Sequence, residues 1–271
     1  VVAGDRQAVL EAGDAATGSV EVSRGFGLGR RPLGDEQRAH HKHAEHADGR
    51  PVGSLHVIDA RDYHVLSPCL NAIKPDVVVH LAAVAHANRS NKDPFSTFDH
   101  SMRTLENDLD SVKDRKPHFI YLSSSMVYGN FEGDAVTEDR RCEPMGIYGA
   151  LKYGAEKLVI AYNQVFNLPY TIIRPSALYG ERCVSRRVGQ AFIENAIRGK
   201  QLTINGDGTD ALDFTYIKDF CQGVLRCIAR PEARNQVFNI TYGSARSINH
   251  MADLVREYFP GIEIINNPRD S

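Results

Sequence analysis

From Leu55 onward the apolar positions gather into short blocks: Leu55–Ile58, Val77–Leu81, Phe119–Leu122, Thr171–Ile173, Val237–Ile240 and Ile262–Ile265. The blocks are rich in valine and isoleucine and run continuously rather than alternating, as strands buried on both faces do. Between them lie stretches with a helical period. After Tyr148, for example, Leu151, Ala155, Leu158, Val159, Tyr162 and Val165 fall on one side of a helix. Strands separated by helices predict βαβ units, hence an α/β fold with a doubly wound, mostly parallel sheet. In such sheets ligands bind beyond the carboxyl ends of the strands. The residues that follow the blocks are therefore the first candidates: Asp59-Ala60-Arg61, Ala82-Ala83, Ser123-Ser124-Ser125 and Pro175-Ser176-Ala177. Small and hydroxylated side chains there let a ligand approach the backbone, although each taken singly also suits a tight strand-to-helix turn.

Residues 1–54 break the pattern. They hold nine of the 22 glycines, and no strand or helix period survives for more than a turn. The segment is atypical and reads as poorly packed or disordered, or as the product of a shifted frame. It also contains His40, His41, His43 and His46, the one metal-like cluster, better read as a solvated polar stretch than as ligands. No metal site is expected.

Composition narrows the classes. With 271 residues, 42% hydrophobic and 24% charged, the chain has the make-up of a soluble globular domain. A net charge of −2 leaves no footprint for nucleic acid, and no apolar run approaches the ~20 residues of a membrane helix. Five cysteines, odd in number and without a CxxC, point to a reducing, cytoplasmic setting. Cys221 and Cys227 read as core.

The chemistry concentrates in two places. Ser123-Ser124-Ser125-Met126-Val127-Tyr128-Gly129 follows a buried strand, and Tyr148-Gly149-Ala150-Leu151-Lys152 opens a long helix 24 residues after Ser124. Tyr148 and Lys152 are one turn apart on one helix face. A tyrosine hydroxyl, with a pKa of ~10, is a poor base at neutral pH until a neighbouring ammonium stabilises its phenolate. A strand-end serine can hydrogen-bond the substrate oxygen and relay its proton. Together they form a proton shuttle for a secondary alcohol whose hydride leaves for a nicotinamide. Glu156 and Lys157 read as the outer face of the same helix.

These stretches, with Asp76-Val77-Val78-Val79-His80-Leu81-Ala82-Ala83, Arg174-Pro175-Ser176-Ala177-Leu178-Tyr179-Gly180, Gly206-Asp207-Gly208 and Asp213-Phe214-Thr215-Tyr216-Ile217, resemble the extended short-chain dehydrogenases. More narrowly they resemble the NAD-dependent epimerase/dehydratase family acting on nucleotide sugars, over about Leu55 to Ile265. The resemblance implies a Rossmann-like part over 55–174 and a smaller C-terminal substrate-binding part over 175–271. It implies Ser124, Tyr148 and Lys152 as the catalytic residues. Cofactor contacts would come from Asp59 and Ala60 at the adenine, Leu81, Ala82 and Ala83 along the dinucleotide, and His100 with Ser101. Ser123, Tyr148, Lys152, Pro175 and Ser176 would serve the nicotinamide end. The implied cofactor is NAD, with NADP also open. The implied partners are a nucleotide-sugar substrate and a second copy of the chain, paired through helices flanking the sheet.

The chain also departs from the family. No GxxGxxG loop, which would hold the pyrophosphate, follows Val1-Val2-Ala3-Gly4, and Gly25-Phe26-Gly27-Leu28-Gly29 is wrongly spaced. Without a strand from 1–54, a central position of the sheet would be empty, giving marginal stability and weak NAD binding. Leu212 stands where the family has a phosphate-binding arginine, leaving Arg182, Arg186 or Arg187 to supply that charge. Asn266-Asn267-Pro268-Arg269-Asp270 reads as a truncation inside a loop. Dehydratases carry Asp-Glu after the catalytic Ser/Thr, where this chain has Ser125 and Met126, and reductase–epimerases carry a cysteine at Met126. Epimerisation by transient oxidation is thus the leading expectation. A keto-sugar reductase or dehydratase, or a relative that only binds nucleotide, are the alternatives.

Overall fold

The computed structural model describes residues 7–12, 19–23, 55–84, 87–130, 135–181, 183 and 187–268. They form two compact units, the first comprising Val1–Glu132, Glu138–Arg174 and Leu225–Phe238, the second Gly133–Thr137, Pro175–Val224 and Asn239–Ser271. The chain returns to the first unit at 225–238, so a single cut after residue 174 does not divide it.

The first unit is built on a seven-stranded sheet ordered β10-β6-β5-β4-β1-β2-β3. Its strands are β1 (Gln7–Ala12), β2 (Ser19–Ser23), β3 (Leu55–Asp59), β4 (Val77–His80), β5 (His118–Leu122), β6 (Tyr170–Pro175) and β10 (Gln236–Ile240). β1, β4, β5 and β6 pair in parallel. β2 runs antiparallel to both β1 and β3, so two reversals bring β3 back into the parallel direction. The expected doubly wound α/β sheet is present, with one antiparallel strand inserted.

Two strands thus lie inside residues 1–54, where the sequence shows no sustained period. β1 occupies a central place, between β4 and β2, so the sheet does not lack the strand that the marginal-stability argument removes. Neither β1 (QAVLEA) nor β2 (SVEVS) is a continuous apolar run, and backbone pairing to β4 and β3 defines them instead.

β4 and β5 are buried at every position, and β6 at all but its last. Burial on both faces is why these strands read as continuous apolar runs. One core packs Val78, Phe119, Tyr121, Tyr170 and Ile172 against Leu66 and Leu70 of α1 (Tyr63–Ile73), Leu105 and Leu109 of α4 (Thr104–Val112), and Ala155 and Val159 of α5 (Gly146–Phe166). α2 (Ala87–Lys92) and α3 (Pro94–Phe98) precede a π-helical turn at Asp99–Arg103.

In the second unit a core of Phe192, Ala196, Leu202, Ile204 and Ala252 joins α6 (Val188–Ile197), β8 (Leu202–Asn205) and α8 (Ile248–Tyr258). A three-stranded sheet of β11 (Ala245–Ser247), β9 (Ala211–Tyr216) and β7 (Ala177–Tyr179) lies beside the pair of β8 with β12 (Ile264–Asn267) in this unit. α7 (Ile217–Ala229) buries Cys227 but leaves Cys221 exposed, a correction to the expectation that both are core. The two lie six residues apart, so a helix turns them to different sides. Among the described residues no helix is long and apolar enough to cross a membrane.

Candidate functional site

β5 ends at Leu122 and delivers Ser123 and Ser124, both buried, at 3% and 8% exposure. Ser124 stays extended and caps a 3-10 turn at Ser125–Tyr128, its Oγ accepting from the Met126 N–H at 3.2 Å. α5 carries Tyr148 in its first turn and Lys152 one turn later. No side chain of the preceding residue caps this helix. Instead Asn91 of α2 does so, its Oδ1 accepting from the Ile147 N–H at 3.1 Å. Gly149 brings this first turn against the serine turn, since a Cβ there would lie 2.8 Å from the Met126 carbonyl oxygen. Half-buried Tyr148 is therefore held beside the Ser124–Tyr128 segment by a close backbone approach.

Lys152 is 7% exposed, and its Nζ donates to the Leu122 carbonyl at 2.6 Å while standing 5.0 Å over the Tyr121 ring. Burial pushes its pKa down to about 8, with the Glu156 carboxylate pulling the other way. At pH 7 the amine is still roughly nine-tenths protonated, so it can stabilise a neighbouring phenolate. Burial pushes the Tyr121 hydroxyl up, helped by Tyr148 and Glu156, and keeps it neutral.

Behind these groups lies a network the sequence did not suggest. Glu156, read there as outer face, is 1% exposed. It accepts from Ser123 Oγ at 2.5 Å and from Arg174 Nε and Nη2 at 2.9 and 2.7 Å. Arg174 Nη1 also donates to the Tyr128 hydroxyl at 2.7 Å and the Glu138 carbonyl at 3.2 Å. Burial works against the Arg174 charge, but Glu156 and Tyr128 outweigh it and hold the guanidinium protonated. The signal was available: Glu156 follows Lys152 by four residues and so shares its inward face, and Arg174 at the end of a buried strand demands a buried anion.

The other candidates lie at neighbouring strand ends. Asp59 closes β3, and its carboxylate is bridged by Arg61, with Nη2 to Oδ2 at 2.6 Å. The Arg61 hydrogen bonds hold the Asp59 pKa below the usual range. Ala60 is fully buried, and its carbonyl accepts from Asn107 Nδ2 at 2.8 Å. Half-buried Leu81 and Ala83 flank buried Ala82 after β4. Ser101 Oγ accepts from the Val84 N–H at 3.3 Å, and His100 Nδ1 lies 2.8 Å from the Ser96 carbonyl, both within the π-turn.

Pro175 ends β6 and Ser176 links it to β7, in the second unit. Arg187 is exposed at the start of α6. Arg182, Arg186, the glycines around 25–29 and the histidines at 40–46 lie outside the described residues. Within the second unit a cavity of about 420 Å³ is lined by Val188, Ile204, Asn205, Asp210, Leu212 and Ile248, among others. Asp213 of the Asp213–Ile217 motif accepts from the backbone N–H groups of Tyr242 and Gly243 at 2.9 and 2.7 Å, which makes it a loop organiser.

The residues present fit a dinucleotide at the Lys152 end: Lys152 uses one donor on Leu122 and retains others for ribose hydroxyls, and Ala82 and Ala83 leave the backbone after β4 approachable. The Asp59 carboxylate, at the carboxyl end of β3, is already engaged by Arg61 through both oxygens.

The sequence profile of the NAD dependent epimerase/dehydratase family matches residues 28–241. YtcB of Bacillus subtilis, named an uncharacterised UDP-glucose epimerase, is 30% identical over 184 residues, covering 67% of this chain and 58% of the relative. A dTDP-D-glucose 4,6-dehydratase of Dictyostelium discoideum is 29% identical over 191 residues, covering 66% and 44%. Among solved structures, UDP-glucuronic acid 4-epimerase of Bacillus cereus, in complex with UDP-glucuronic acid and NAD, superposes with a TM-score of 0.70 at 32% identity, covering 76% of this chain and 65% of that one. The chain thus spans about three fifths of the length of its Bacillus subtilis relative. Motif order, sheet and profile agree, and the chain belongs to the NAD dependent epimerase/dehydratase family.

Proposed function

We propose that the chain carries the catalytic centre of an NAD-dependent nucleotide-sugar epimerase, which oxidises a sugar hydroxyl transiently and returns the hydride to the opposite face. The observation that carries the proposal is the pairing of Lys152, buried yet still cationic at neutral pH, with Tyr148 one turn away beside the serine turn. Bound NAD would supply the hydride acceptor and donor. Tyr148, as phenolate, takes the proton of the sugar hydroxyl, and the Lys152 ammonium stabilises the charge on the phenol oxygen. Ser124 hydrogen-bonds the same sugar oxygen and holds it in line with Tyr148. When the sugar has turned over, Tyr148 returns the proton.

Asp59, Ala60, Leu81, Ala82, Ala83, His100 and Ser123 are proposed for the dinucleotide side, with Pro175 and Ser176 following β6. Arg186 and Arg187, adjacent in the sequence, are proposed to supply charge for the phosphates of the substrate. A second copy would pair through the flanking helices, where Val165 of α5 and Phe98 are exposed, and a cytoplasmic setting suits the five free cysteines.

Epimerisation is favoured over dehydration because neither Ser125 nor Met126, in the turn after Ser124, can protonate a leaving hydroxyl at neutral pH. The test is proton NMR of UDP- and dTDP-hexoses incubated with the protein and NAD. A C4 epimer formed without net NADH supports the proposal. A 4-keto-6-deoxy product would assign dehydration, consumption of NADPH on a keto-sugar would assign reduction, and no turnover with retained NAD would assign a binding role.

A further inference from the structure

Glu156 contacts both halves of the proposed centre without belonging to either. Its carboxylate takes the hydroxyl of Ser123, the residue before Ser124, at 2.5 Å. It stands one helical turn beyond Lys152 on α5, and Arg174 grips it through two nitrogens from β6. Arg174 in turn reaches the Tyr128 hydroxyl at the far end of the serine turn and lies over its ring, 4.8 Å from the centroid. One buried ion pair therefore ties together the start of the serine turn, its end, and the helix that bears Tyr148 and Lys152.

We propose that Glu156 is a positioning residue for the reaction: clamped by Arg174, it sets where the Ser123–Ser124 pair stands and is the anion that Lys152 faces. A buried ion pair kept only for stability is a poor investment, because apolar residues of similar volume do as well. Here the anion also opposes the burial that lowers the pKa of Lys152. The other titratable or charged groups around the pair are Tyr148 and Lys157 on α5, Tyr121 on β5, Tyr170 on β6, and Tyr128 and Cys142 between them. None of them is an anion when protonated, so Glu156, while paired with Arg174, is the carboxylate that favours the charged form of Lys152.

The inference rests on the proposed role of Lys152, but its test reads Lys152 directly. The full chain, labelled with carbon-13 at the lysine ε position, is titrated by NMR, with the Lys152 signal identified by its loss in Lys152→Arg. Glu156→Gln keeps an acceptor for Ser123 and removes the charge. The Lys152 midpoint should fall by about one pH unit or more below its value in the parent chain. Because Glu156→Gln strands a buried cation, the double variant Glu156→Gln/Arg174→Gln is measured alongside and should shift in the same direction. Where turnover is found, the pH profile of kcat should move to lower pH by a similar amount, with KM changed less than kcat.

An unmoved Lys152 midpoint in a folded variant overturns the proposal, and so does loss of folding in both variants, which would assign the pair to stability alone. Absence of turnover on every nucleotide sugar would refute the epimerase assignment and leave the Lys152 result standing.

Discussion

Two glycines of α5 make opposite predictions when changed to alanine. A Cβ at Gly149 would lie 2.8 Å from the Met126 carbonyl oxygen and 3.2 Å from Pro144 Cβ, whereas at Gly154 it would meet nothing within 4 Å. An unstrained carbon–oxygen contact needs ~3.3 Å, so Gly149→Ala must drive the first turn of α5 away from the serine turn by about 0.5 Å. Tyr148 moves with that turn. Reacting groups must be held to within ~0.5 Å, and a displacement of ~1 Å costs about 100-fold, so a loss of about tenfold in kcat is expected. The helix gains up to ~1 kcal/mol from the better helix former, and the crowding costs ~1–3 kcal/mol. Gly149→Ala should therefore be neutral or destabilised by up to about 2 kcal/mol. Gly154→Ala meets no crowding and should gain ~0.5–1 kcal/mol, raising Tm by about 1–4 °C with kcat unchanged. Differential scanning calorimetry and initial-rate turnover on the two variants decide the matter. If Gly149→Ala is stabilised as much as Gly154→Ala and turns over at the parent rate, the close approach at Met126 does not position Tyr148.

Acid stability should report His118. Its Nε2 lies 2.8 Å from Thr171 Oγ1, which itself donates to the Ala233 carbonyl, and burial, with Arg234 nearby, pushes its pKa down to about 4. The folded value lies below the unfolded one, so this contribution is fully present above pH ~6.5 and is lost as pH falls toward 4. After allowance for residual solvation it amounts to about 2 kcal/mol, visible in urea melts at pH 7 and pH 4.5, and His118→Gln should flatten the difference. Asn91→Ala should cost ~1 kcal/mol by removing the cap on α5, and should lower kcat more than an exposed substitution of equal destabilisation. Light scattering at micromolar concentration should give the mass of a dimer, and Val165→Glu should shift it toward the monomer.

The strands of the large sheet were legible where both faces are buried, because the apolar run then tracks the strand. Val77–Leu81 and Phe119–Leu122 overlap β4 and β5 almost residue for residue, and Thr171–Ile173 marks the inner half of β6. β9, whose positions are mostly exposed or half-buried, and the three-residue β7 and β11 carry no such run. β1 and β2 depend on pairing with distant strands, which a local pattern cannot express. At the candidate site, Ser124, Tyr148 and Lys152 were legible because strand end and helix spacing are local features. Glu156 was misread because its charge suggested solvent, although its spacing from Lys152 turns it inward, where Arg174 on β6, 18 residues away, pairs with the buried carboxylate.

The central claim is that Tyr148, Ser124 and Lys152 manage a proton while the hydride leaves a sugar carbon and comes back to it. The direct measurement uses UDP-glucose deuterated at C4, incubated in ordinary water with the protein and NAD and followed by NMR and mass spectrometry. The expected product is a C4 epimer that retains its deuterium, with Tyr148→Phe slowed by at least ~100-fold. Deuterium exchanged for solvent hydrogen at C4, or a Tyr148→Phe variant as fast as the parent, would contradict it.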